Sequence, residues 1–167
     1  RHQRMGGRRM IRSILGITIA AVQTFPTGEK YATGRFGSYT HWWGIQQGKP
    51  FSARKVLHPE YQYWSPDSQL KGISQLAEFI RAFRGAFPDL SLQINDFFSS
   101  KDRTCTAFTL KGTHEKNFMG IPATKKPVEV HGMVISRIKD NKIVEDKEIL
   151  DNLTFFQQLN IVRKLPL

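Results

Sequence analysis

RTCTAFTLKGTHEKNFMGIPATKKPVEVHGMVISRIKDNKIVEDKEILDNLTFFQQ, residues 103–158, decides the fold. Three runs in it alternate apolar and polar residues with period 2: Arg103–His114, Pro127–Lys139 and Lys142–Asp151. Alternation of that kind marks long strands with one covered face. Asp140-Asn141 joins the last two as a turn of type I′ character, where Asn tolerates the left-handed backbone. The last run ends on an acid, Asp151. A short helix with Phe155, Phe156 and Leu159 on its apolar side then closes the domain over Leu153–Ile161.

Working upstream, Asp89–Phe98 alternates in the same way and reads as a further strand, joined to Arg103–His114 by a hairpin turn over Ser99–Asp102. Before it the period changes to 3.6. Ile73, Leu76, Ala77, Ile80, Phe83 and Phe87 mark one face of an amphipathic helix, with Ser74 as a candidate cap and Pro88 just past its end. Ser65-Pro66-Asp67 is a turn, entered from a short strand over Glu60–Trp64. A short helix over Ser52–Leu57, stopped by His58-Pro59, and an interrupted helix over residues 29–48 precede that strand. Helices followed by a meander of strands describe an α+β domain, with the helices laid on one face of the sheet.

At 167 residues and 40% hydrophobic, the chain has the size and composition of one globular domain. The single cysteine, Cys105, permits neither an internal disulfide nor a cysteine-rich metal site. It reads as a half-buried structural thiol. The formal charge of +11 is uneven: residues 1–28 hold five arginines and no acid. That segment, with its apolar run ILGITIAAV, reads as a basic arm packed on the domain or as a targeting segment, and residues 29–167 as the domain proper. Nine apolar residues are too few to span a bilayer, so no stable membrane insertion is expected. Basic charge favours contact with nucleic acid, yet the sequence lacks helix-turn-helix punctuation, zinc spacing and an aromatic RNP-type motif, and no specific nucleic-acid partner is expected. A cytoplasmic location is expected, with export through the arginine-rich segment as the alternative.

A sheet with helices across its concave side encloses an apolar cavity, and a carboxylate inside it can serve as a general base. Ile143, Glu145, Lys147, Ile149 and Asp151 share one face of the last strand; Val144, Asp146, Glu148 and Leu150 share the other. Both sets mix charge with apolar residues, so alternation does not choose the inward one. On spacing alone Asp151 reads first as an N-cap for the closing helix. His114 and His131 read as hydrogen-bonded structural residues, and the five histidines show no metal-ligand spacing.

Several motifs in fixed order resemble the SnoaL-like polyketide cyclases, or ester cyclases. They are Phe79–Leu90 (FIRAFRGAFPDL), Gly112-Thr113-His114, Phe118–Thr124 (FMGIPAT), Val128–Gly132 (VEVHG), Lys142–Glu145 (KIVE), and Asp151 followed by Gln157-Gln158-Leu159. The resemblance implies the cone-shaped fold of the nuclear-transport-factor-2-like superfamily, a curved antiparallel or mixed sheet around a pocket, assembled as a homodimer through its outer face. It implies cofactor-free and metal-free acid/base chemistry, an aldol-type cyclisation or an isomerisation, on a small apolar molecule that bears a carbonyl. Under it Asp151 becomes the base, and His131 and His114 the groups that hold an enolate oxygen. Trp64, Tyr63, Phe83, Phe87, Phe118, Met133 and Lys147 are then the expected substrate contacts. Asp146-Lys147 departs from the family's usual His-Trp at these positions, and a pocket-facing Lys147 would turn an apolar wall into a cation. Epoxide hydrolysis on the same fold is the competing enzyme reading; it uses an Arg-x-Asp pair, which this chain lacks. A non-catalytic binding or oligomerisation module is the other alternative.

Overall fold

The computed structural model describes residues 56–163. Within them the chain runs β1 (Leu57–Ser65), β2 (Ser68–Lys71), α1 (Gly72–Ala86), β3 (Ser91–Ser100), β4 (Arg103–Thr113), β5 (Pro127–Lys139), β6 (Lys142–Leu150) and α2 (Asn152–Gln158). The basic arm and the interrupted helix over residues 29–48 lie outside the described residues.

The six strands form one sheet in the order β2-β1-β6-β5-β4-β3. β3 to β6 are a plain antiparallel meander. The β5–β6 turn falls on Asp140 and Asn141, both at positive φ (50° and 61°), as a type I′ connection requires. The meander brings β6 beside β1, and this pair is parallel. The sheet is therefore mixed, and the α+β expectation holds.

β1 departs from the sequence reading. His58-Pro59 does not stop a helix; both residues lie inside the strand. Proline has no N–H to give a ladder, and the β1–β6 register slips between Leu57 and Gln62 to absorb it. Residues 52–55 of the expected helix lie outside the described residues. α1 also starts differently. Lys71 is its N-cap, in extended conformation and without a side-chain cap bond, so Ser74 does not cap it. β2 passes straight into the helix at Gly72, whose φ of +77° is one that glycine takes without steric cost.

α1 and α2 cover the same face of the sheet. The main core joins Phe83, Ala86 and Phe87 of the α1 end and Phe155 and Phe156 of α2 to Val128, Val130 and Val134 of β5. Leu76 of α1 packs with Leu57, Tyr61 and Tyr63 of β1 in a second cluster. Phe108 of β4 lies over Gly132 of β5, its cross-strand partner. A Cβ at Gly132 would come 2.3 Å from the Phe108 ring, so only hydrogen fits there. Among the described residues, no helix is long and apolar enough to cross a membrane.

Candidate active site

The choice that alternation leaves open on β6 is made by its neighbours. Val144, Asp146, Glu148 and Leu150 are buried on the helix-covered face, whereas Lys147 and Ile149 are exposed on the other. β1 lies on one side of β6 and buries Tyr61, Tyr63 and Ser65 on that same inner face. β5 lies on the other side, with Ser136 opposite Asp146.

Two buried carboxylates thus meet two buried tyrosines. Asp146 and Glu148 are each 1% exposed. Tyr61 donates its hydroxyl proton to Asp146 Oδ2 at 2.8 Å, and Ser136 Oγ donates to Oδ1. These donors favour the ionised form, but burial outweighs them and pushes Asp146 up to about 6. Tyr63 lies close to both Glu148 and Ser65. Burial, reinforced by the Glu148 charge, drives its pKa far up, so the phenol keeps its proton. Asp146 and Glu148 are two residues apart on one strand face, about 7 Å along it. Such a cluster combines carboxylates able to accept a proton with neutral hydroxyls able to donate hydrogen bonds.

Asp151 lies outside this cluster. It is exposed, it is the N-cap of α2, and its Oδ1 accepts from the Thr154 N–H at 3.0 Å. Its hydrogen bonds to Thr154 hold it below the usual carboxylate range. A base for neutral pH needs the opposite shift.

The other expected contacts divide between the two faces. Tyr63 belongs to the cluster. Phe83, Phe87 and Phe118 are buried together in the aromatic core, Phe83 stacked on Phe87 at 4.8 Å and edge-on to Phe118 at 4.8 Å. His114 is buried beside them, stacked on Phe87 at 5.0 Å. Its Nδ1 meets Thr124 Oγ1 at 3.1 Å and accepts the Thr124 N–H at 3.3 Å, which puts the proton on Nε2. Desolvation lowers its pKa and keeps it neutral. His114 N–H and C=O also bond Lys126 and Lys125, so the residue pins the loop between β4 and β5.

Trp64, His131, Met133 and Lys147 occupy the opposite face, away from the helices. Trp64 pairs with Lys147 in register, and Met133 is half exposed. His131 Nδ1 meets Thr109 Oγ1 at 2.9 Å, across from it on β4. Lys147 does not put a cation into the interior; its Nζ lies 3.3 Å from Glu145. Alternation on β5 and β6, and on β1 in register with β6, carries these residues outward together once Asp146 and Glu148 turn inward. Sequence reasoning missed the pairing of Asp146 and Glu148 with Tyr61 and Tyr63. The signal was there in Tyr-x-Tyr and Asp-x-Glu, both at strand period, but their adjacency depends on the parallel β1–β6 pairing.

The sequence matches the family model of the SnoaL-like polyketide cyclases over residues 37–159. Solved structures share the fold. TsrD from Streptomyces laurentii is 27% identical with a TM-score of 0.64, covering 71% of this chain and 88% of that one. IdmH from Streptomyces antibioticus, a proposed polyketide cyclase, is 25% identical with a TM-score of 0.60, covering 70% and 91%. AclR from Streptomyces galilaeus, a proposed hydroxylase, is 23% identical with a TM-score of 0.64, covering 74% and 81%. No curated protein matches the sequence.

Proposed function

The chain belongs to the SnoaL-like polyketide cyclases, and from that premise we propose that it is a cofactor-free enzyme that abstracts a proton α to a carbonyl of a small, largely apolar molecule. The observation that carries this reading is the buried cluster of Asp146, Glu148, Tyr61 and Tyr63 on the helix-covered face. Glu148 takes the proton. Its side chain is one methylene longer than that of Asp146 and reaches further from the sheet. Tyr63, which stays protonated, donates a hydrogen bond to the enolate oxygen as charge develops there. In an aldol-type cyclisation the enolate carbon then adds to a second carbonyl of the same molecule. The alkoxide so formed recovers the proton from Glu148, and no net proton is gained or lost. Asp146, held between Tyr61 and Ser136, is a positioning residue that fixes Tyr61. Asp151 caps α2.

Glu148→Gln and Asp151→Asn, compared with the parent on β-keto esters carrying a second carbonyl, test the assignment. Loss of general-base catalysis costs about 10²–10⁴-fold in rate. Glu148→Gln should fall in that range and Asp151→Asn should keep most of the rate. A Glu148→Gln protein as fast as the parent would sink the proposal.

Assembly forms part of the same reading. Phe98, Met133, Ile135 and Ile149 are exposed on the outer face of the sheet, and this apolar surface is the one we assign to contact with a second copy.

A further inference from the structure

The β2–β1–β6 end of the sheet carries a second polar set on the face turned away from the helices. Cross-strand pairing places Arg137, Glu145, Gln62 and Lys71 in one row over β5, β6, β1 and β2. In the next row Lys147 stands beside Trp64, which is 39% exposed. Two depressions, of about 460 Å³ and about 380 Å³, share Gln62 and Lys71 as lining residues; the smaller also takes in Trp64, Glu145 and Lys147, and the larger reaches Arg137, Tyr61 and Val144. Their volumes lie in the range of small-molecule sites, about 300–1,000 Å³.

Charge in this groove is unbalanced. Glu145 accepts from Arg137 Nε at 3.0 Å and lies 3.3 Å from Lys147 Nζ, so two cations share one carboxylate. Lys71 adds a third cation across Gln62. At the far rim Lys139 faces Glu60 at 3.9 Å and cancels it. Lys71 and Lys147 stand two strands apart and two residues along, about 12 Å between Cα atoms. Two extended lysine side chains span that gap over the Gln62 amide, with the Trp64 indole as the flat surface beside it.

We propose that this groove binds a small planar organic anion, an aromatic or conjugated carboxylate or sulfonate. Its ring system lies against Trp64, and its anionic group sits between Lys71 and Lys147, within reach of the Gln62 amide. Cations flanking an exposed aromatic surface favour such a ligand over a neutral one of the same shape. Trp64 and Lys147 lie on the opposite face of the sheet from the buried carboxylates, so the proposal stands apart from the catalytic one.

Naphthalene-2-carboxylate titrated into the full chain, read by tryptophan fluorescence, tests it. Saturable quenching is expected, and Trp64→Phe should remove that signal. Lys71→Gln and Lys147→Gln should each weaken binding about threefold and the double variant about tenfold, the scale of exposed ion pairs. Glu145→Gln frees Arg137 and Lys147 and should tighten binding. The uncharged naphthalene-2-carboxamide should bind more weakly than the carboxylate. Equal affinity for acid and amide, parent affinity in the double lysine variant, or no saturable binding would overturn the proposal. Loss of binding in Glu148→Gln with the lysine variants unaffected would place the probe on the inner face and overturn it as well.

Discussion

Tyr61 and Asp146 are 85 residues apart in the chain and hydrogen-bonded at 2.8 Å in the interior. The contact exists because β1 and β6 are parallel neighbours and Tyr61 and Asp146 both point to the helix-covered face. It has a consequence for stability. Asp146 has an ordinary value of 3.8 and is raised to about 6 in the folded protein. The folded chain therefore holds this proton more tightly than the unfolded chain. The stabilisation is fully present below about pH 4 and is lost as the pH rises through about 6. Two pKa units correspond to about 3 kcal/mol. Asp146→Asn cannot titrate, so its unfolding free energy relative to the parent should improve by up to about that amount between pH 4 and pH 7. Denaturant unfolding of both proteins at several pH values measures the difference. A flat difference across that window would show that Asp146 is not buried as an acid.

Asp151 behaves in the opposite sense. Thr154 donates to it, and its pKa is lowered, so its contribution is present at neutral pH and lost as the pH falls through the lowered value. Asp151→Ala removes the cap of α2 and should cost about 1 kcal/mol, within the 0.5–2 kcal/mol known for such caps. Asp151→Asn keeps an acceptor oxygen and should cost less. Thermal denaturation of the two variants at neutral pH checks the order.

Gly132 and Phe108 make a packing pair that can be tested without any substrate. A methyl group at position 132 would sit 2.3 Å from the Phe108 ring and 2.9 Å from Leu150. Gly132→Ala should therefore destabilise by about 1–3 kcal/mol, the usual cost of overpacking a core. Phe108→Leu removes part of the obstruction. In the double variant the two losses should sum to more than the measured total. Additive losses in a double-mutant cycle would mean that the ring moves away freely.

The meander was legible because β4, β5 and β6 alternate strongly and Asp140-Asn141 marks their tightest turn. β1 was only half legible. His58-Pro59 reads as a stop, and nothing in the local sequence shows that a bulge can carry proline within a strand. The site was the least legible part. Asp146 and Glu148 alternate with Glu145 and Lys147, so period 2 gives two charged faces and no preference. What decides between them is non-local: Tyr61 and Ser136 supply donors for Asp146 on the inner face, and Arg137 supplies one for Glu145 on the outer. Asp151 drew attention because it ends the strand, which is also why it caps the helix.

The outer face of the sheet offers the remaining prediction. Met133 and Ile149 are cross-strand partners, 52% and 54% exposed, and Ile135 and Phe98 extend the same surface at 45% and 61%. Apolar side chains grouped on an exposed sheet face mark a contact surface. Each is worth about 2 kcal/mol when fully buried. Pairing of two copies through this face should give a dimer by sedimentation velocity at micromolar concentration. Ile149→Lys places a charge at the centre of that contact, and its desolvation is unfavourable. The variant should sediment as a folded monomer, with an unchanged circular dichroism spectrum, because residue 149 faces away from the core. A parent chain that is monomeric under the same conditions, or an Ile149→Lys chain as dimeric as the parent, would exclude this face as the contact.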